Sequence, residues 1–285
     1  MLIPFSGRGA RHGNMADPAM RRRVNAVPLD WISRHALSVW ALLLVAALLG
    51  ADTAWRRAVR RREGVDPMAR AFLRPTTALV VVVVTLLIAT VIAVEVREQA
   101  GLTAFDASLA ADLRANLPLP MLRAIAWVTH SGDPLVVGIA TGVVFLFLLV
   151  RRHFRLAATW IATLVGTALI NSALKAWFQR ERPLHDHGFI VEHSYSFPSG
   201  HASGSMVFYG MLAYVLLVLC PPRWHRGIVV AAVAMITLVG ISRILLQVHY
   251  FSDVMAGYAT GLAWVTLCVG SAEYLRLREG RRAST

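Results

Sequence analysis

Six stretches of the chain, at about 77–95, 134–150, 157–178, 201–220, 227–246 and 254–274, are nearly continuous runs of apolar residues. Each has roughly the 17 to 25 residues that an α-helix needs to cross a bilayer, so each predicts a membrane-spanning helix. The expected fold is all-α: a polytopic transmembrane helix bundle with a six-helix core, preceded by a shorter apolar run at 36–51. The pattern divides the chain into a basic N-terminal region at 1–75, the six-helix core at 76–275 and a basic tail at 276–285.

The shorter run has three readings. If it crosses, the preceding tail with Arg8, Arg11, Arg21, Arg22, Arg23 and Arg34 lies outside, against the tendency of basic segments to stay in the cytoplasm. A re-entrant or interfacial helix avoids that conflict. A cleaved signal peptide with Arg21 to Arg23 as its charged region is the third, although Trp55 to Arg62 is too basic to export easily. Between the first two core runs, 104–117 places Phe105, Leu109, Leu113 and Leu117 four residues apart. That predicts an amphipathic helix, either resting on the outer leaflet or capping the bundle, with Asp106, Asp112 and Arg114 turned away from the apolar face.

With 56% hydrophobic and 16% charged residues, the composition excludes an ordinary soluble enzyme. The net charge of +13 does not point to nucleic acid, because the arginines sit between the apolar runs. Segments 56–74, 151–155, 221–227 and 276–285 carry 16 arginines, and the alternate segments 96–133, 179–200 and 247–253 carry 5. The first set therefore faces the cytoplasm, the C-terminus with it, and the second set faces out. Cys220 and Cys268 have no pattern of further cysteines from which to build a disulfide framework or a zinc site.

Three short motifs fall on the outer side. Lys175 is the only lysine, seven residues before Arg182, which puts the two on one helical face if Pro183 ends the helix. Taken alone, Lys175 is equally at home as a cation snorkelling to the interface. Next, Phe197-Pro-Ser-Gly-His201 runs straight into a membrane helix. There Ser199 can cap, Gly200 lets an anion approach the backbone, and the first-turn amides point at it. The third motif joins Ser242, Arg243, His249 and Asp253 across the last turn. Arginine near the end of a membrane helix is costly unless paired or functional. Asp253 is four residues from His249, within reach of one ring nitrogen, which leaves the other as nucleophile or base. Together, Lys175, Arg182 and Arg243 neutralise phosphoryl oxygens and a histidine pair supplies nucleophile and acid, with no metal or other cofactor needed for charge balance.

These residues resemble the type-2 phosphatidic acid phosphatase superfamily, whose pattern is Lys-x6-Arg-Pro, Pro-Ser-Gly-His and Ser-Arg-x5-His-x3-Asp, all found in order between 175 and 253. The resemblance implies that His249 attacks phosphorus to form a phosphohistidine, that Asp253 orients it, and that His201 protonates the leaving oxygen. It implies that Lys175, Arg182, Arg243 and the backbone at Ser199 and Gly200 hold the phosphate. The implied activity is hydrolysis of a lipid phosphate or pyrophosphate of the phosphatidylglycerophosphate, phosphatidic acid or undecaprenyl pyrophosphate type, at the outer face of a bacterial inner membrane. The implied partners are that substrate and membrane lipids. A phosphotransferase using the same intermediate, or a lipid transporter keeping the anion site, are the alternatives. His185, His187 and His193 are metal-ligand types at a spacing that matches no ligand pattern, and the loop 184–197 with Glu192 and Tyr195 is read as shaping head-group access. Gly200/Gly204 and Gly257/Gly261 are small-residue pairs expected to let helices approach closely.

Overall fold

A computed structural model describes residues 35–60, 75–184, 188 and 194–283. Among these the chain forms α1 (Ala36–Arg60), α2 (Pro75–Arg97), α3 (Gly101–Asn116), α4 (Leu119–Thr129), α5 (Pro134–Val150), α6 (Phe154–Phe178), α7 (Gly200–Leu219), α8 (Pro222–Leu245) and α9 (Phe251–Ala283), with a short 3-10 turn at His130–Gly132. Prolines in the first turn open α4, α5 and α8, where a missing amide costs nothing and the fixed φ suits the helix.

Six helical segments are long and apolar enough to cross a membrane, as the apolar runs predict. Their outer faces carry large apolar side chains, such as Leu79, Leu87, Ile139, Val143 and Leu169, each more than half exposed. Such a surface is stable only in hydrocarbon, where the helix satisfies its own backbone. The chain is an integral membrane protein.

The centre of the bundle is α7 with α8 and α9 against it. Their close approach depends on two glycines: a Cβ at Gly257 would stand 2.7 Å from the Ser199 carbonyl oxygen, and one at Gly261 would stand 3.0 Å from that of Ser203. The expectation of close packing holds for this pair. It fails for Gly204, which has open space around it, while Gly200 faces the Asn171 side chain.

Helix α1 extends beyond the predicted apolar run and lies along α8. Ala36 packs in a cluster with Leu109, Leu113, Ile244 and Leu245, whereas Asp52 pairs with Arg226 at the opposite end of α8. It therefore runs the length of α8.

Helix α3 caps the bundle, with Leu109 and Leu113 packed against Ile241, Ile244, Leu245 and Val254. One expectation is overturned here: Asp106 is not turned away but only 1% exposed. It precedes Leu109 by three residues and Leu113 by seven, so it shares their inward stripe.

Candidate active site

Four helix ends meet at one end of the bundle: the C-termini of α6 and α8 and the N-termini of α7 and α9. The end of α6 differs from the expectation. Pro183 does not stop it; the helix ends at Phe178, where Gln179 takes a left-handed conformation (φ 45°) and its amide donates to the Lys175 carbonyl. Arg182 therefore reaches the site from extended chain rather than from the Lys175 face of a helix. The two cations still converge on one short segment. Lys175 Nζ donates to Ser194 Oγ at 2.9 Å and to the Tyr195 carbonyl at 2.5 Å, and Arg182 Nε donates to the Ser194 carbonyl at 2.7 Å.

The Pro-Ser-Gly-His segment forms the N-terminus of α7. Ser199 is the N-cap, and its hydroxyl accepts from the Ala202 amide. Its own amide donates to the Asp253 carbonyl at 3.0 Å, tying the start of α7 to the start of α9. That amide is thus engaged within the protein, which leaves the Ser199 backbone a supporting rather than a donating part. Gly200 N lies in the first turn, where amides have no intrahelical acceptor.

After α8 the chain turns through Gln247, whose φ is 53°, and the amides of Val248 and His249 both donate back to the Arg243 carbonyl. This hooks His249 inward, so that it is 2% exposed. Its Nδ1 faces Asp253 Oδ2 at 3.4 Å, and its Nε2 faces Arg182 Nη1 at 3.2 Å. Because a guanidinium only donates, Nε2 carries the lone pair and the ring proton lies on Nδ1. Burial first, then the charges of Arg182, Arg243, Lys175 and His201, hold the imidazole well below its ordinary pKa. A neutral imidazole with its lone pair aimed among cations is suited to attack phosphorus. His201 stands at the second position of α7, its Nε2 3.0 Å from Asp133 Oδ1. Arg243 is fully buried, with Nη1 donating to Thr129 Oγ1 at 3.1 Å.

The PAP2 superfamily matches residues 156–276. Phosphatidylglycerophosphatase B of Bacillus subtilis is 35% identical over 162 residues, 52% of this chain and 74% of that protein. The chain belongs to the PAP2 superfamily. A lipid A 1-phosphatase of Rhizobium johnstonii is 30% identical over 183 residues, covering 53% of this chain and 70% of its own. Among solved structures, a transmembrane PAP2-type phosphatidylglycerolphosphate phosphatase from Bacillus subtilis superposes with a TM-score of 0.58 at 26% identity, over 69% of this chain and 96% of that one.

Around the PAP2 motifs stands a group of residues that motif spacing does not reveal. Arg180 Nη1 donates to Asp253 Oδ1 at 2.7 Å and to Ser252 Oγ at 2.8 Å, while Nη2 donates to Asp106 Oδ2 at 2.9 Å. Its guanidinium also lies 4.3 Å from the centroid of the Tyr250 ring. Asp106 accepts from the Ser252 amide and hydroxyl. Asp253 receives the Ser196 hydroxyl and the Tyr250 amide as well. One signal was available for Asp133, the only acidic residue between Asp112 and Glu181. His185, His187, Glu192 and His193 lie outside the described residues.

Proposed function

We propose that this chain hydrolyses the phosphate or pyrophosphate of a membrane lipid through a phosphohistidine at His249. The observation that carries the lipid reading is an apolar groove of about 470 Å³ between α2, α6 and α9. Leu86, Leu174, Trp264 and Leu267 line it, and it ends at Phe197 and Pro198, immediately before Ser199. A hydrocarbon chain lying there brings its head group to the cations.

Lys175, Arg182, Arg243 and the Gly200 amide hold the phosphoryl oxygens. His249 Nε2 forms a bond to phosphorus as the bond from phosphorus to the lipid oxygen breaks, and Asp253 stabilises the proton on Nδ1. His201, charged and paired with Asp133, gives the proton of its other ring nitrogen to the departing oxygen. Neutral His201 then takes a proton from water, the hydroxide attacks phosphorus, and phosphate leaves while His249 regains its lone pair. The six-helix core at 76–275 supplies all of these groups. The excess of arginines at the other end supports a site on the periplasmic side of a bacterial inner membrane and a cytoplasmic C-terminus.

The test is phosphate release by the purified protein from a panel of lipid phosphates and pyrophosphates in detergent, with acid-labile label on His249 sought by rapid quench. Release of free phosphate from a single donor supports hydrolysis. Label transfer only when a second lipid or sugar is present would replace hydrolysis with phosphotransfer.

A further inference from the structure

The groove has one charged lining residue among the described ones. Arg97 ends α2, is exposed, and lines the groove together with Phe178, Phe197 and Pro198. Its neighbour Val96 packs with Phe197, Ala256 and Phe178, which places Arg97 at the groove end nearest Ser199 and Asp253. It is also one of only 5 arginines in the segments on the site side, two of which, Arg180 and Arg182, belong to the site and its support. A guanidinium beside an apolar wall contributes nothing to holding a hydrocarbon chain. It fits an anionic group sited where chain and head group join.

We propose that Arg97 binds the phosphodiester of a lipid whose terminal phosphate occupies the His249 site, so that it selects phosphatidylglycerophosphate-type substrates over phosphatidic acid. The inference rests on the lipid phosphatase reading above. The choice of phosphodiester follows from spacing. In a pyrophosphate the two phosphorus atoms share one oxygen, so both fall among Lys175, Arg182 and Arg243. In a glycerophosphate head group three carbons separate them, and the inner phosphate lies toward the acyl chains, where Arg97 stands. Phosphatidic acid has no second phosphate to offer.

The test measures KM and kcat of wild type, Arg97→Gln and Arg97→Lys on dioleoyl phosphatidylglycerophosphate, dioleoyl phosphatidic acid and undecaprenyl pyrophosphate, in mixed micelles of one composition. Loss of a charged hydrogen bond predicts that Arg97→Gln raises the KM ratio of phosphatidylglycerophosphate to phosphatidic acid about tenfold or more. Arg97→Lys should recover part of it, because the charge remains but the fork does not. An equal change on all three lipids would make Arg97 an interfacial anchor and overturn the proposal, as would an effect confined to the pyrophosphate. Wild type that releases phosphate from none of them would remove the phosphatase reading itself, and this inference with it.

Discussion

Two histidine–carboxylate pairs face the same site, and they are held very differently. His249 and Asp253 are 3.4 Å apart with side chains 1% and 0% exposed; His201 and Asp133 are closer, at 3.0 Å, yet 9% and 31% exposed. Asp253 is fixed by Arg180, Ser196 and the Tyr250 amide, and Arg180 is fixed in turn by Asp106 on α3. Asp133 is shared with His130 at 2.6 Å. The shorter contact is therefore the weaker hold, because exposure to water screens it and a second imidazole competes for it. On the proposed mechanism the group that bonds to phosphorus is the one backed by a buried network, and the group that moves a proton is backed by a carboxylate open to water.

The largest expected effect breaks the comparison at its centre. His249→Ala should reduce phosphate release by about 10⁵-fold or more on every substrate, since on the proposed mechanism it removes the atom that bonds to phosphorus. His201→Ala should cost about 10² to 10⁴ on a lipid phosphate and much less on an aryl phosphate, whose phenolate departs without a proton. Each variant is compared with wild type on the same substrate. Rescue in the His249 variant instead would exchange the two roles.

Arg180→Met tests the support rather than the chemistry. It leaves Asp106 and Asp253 buried without their shared cation, and breaking one side of a buried ion pair costs about 3 to 5 kcal/mol. Thermal melting in detergent should drop well below that of Arg123→Met, an exposed site on α4 used as a control. Similar melting of the two would mean that the Arg180 network adds little to the fold.

The contrast between these regions also marks what the sequence could disclose. Six apolar runs became six spanning segments because hydropathy over some twenty residues is a strong signal in one chain. That Lys175, Arg182, His201, Arg243, His249 and Asp253 would come together could be read ahead, because each motif lies where an apolar run begins or ends. Arg180 was not, although it lies between two of them: a cation among Gln179, Glu181 and Arg182 reads as ordinary interfacial charge. Asp106 was misread because the spacing of four from Phe105 to Leu117 draws one stripe, while Asp106, Leu109 and Leu113 define the stripe that the bundle buries. Polar residues on a buried stripe become visible only when their partner, here 74 residues away, is in place.

The environment of His249 carries a pH prediction. Its pKa is depressed by burial and by neighbouring cations, so the imidazole stays neutral as pH falls through the ordinary histidine value of about 6.5. The acid limb of kcat/KM, which reports the free enzyme, should lie below that pH. Arg182→Gln removes the second-largest cause of the depression and should move the limb upward. A limb that stays in place would mean that it reports another group.

The smallest expected effect sharpens the comparison on the exposed side. Asp133→Asn keeps size and shape but removes the charge that pairs with protonated His201. In a buried serine-protease triad the same exchange costs about 10⁴ in kcat, because the imidazole is trapped in the wrong tautomer. Asp133 is about a third exposed, so water can supply part of the lost interaction and His201 can reorient. The expected loss is therefore nearer tenfold on lipid phosphates. Asp253→Asn, at 0% exposure, should approach the larger figure. On an aryl phosphate the Asp133 effect should shrink in step with that of His201→Ala, and in the double variant Asp133→Asn with His201→Ala it should vanish, since Asp133 acts only through that ring. Additive losses in the double variant would instead give Asp133 a separate contact with substrate. Equal losses for Asp133→Asn and Asp253→Asn would show that exposure does not distinguish the two pairs.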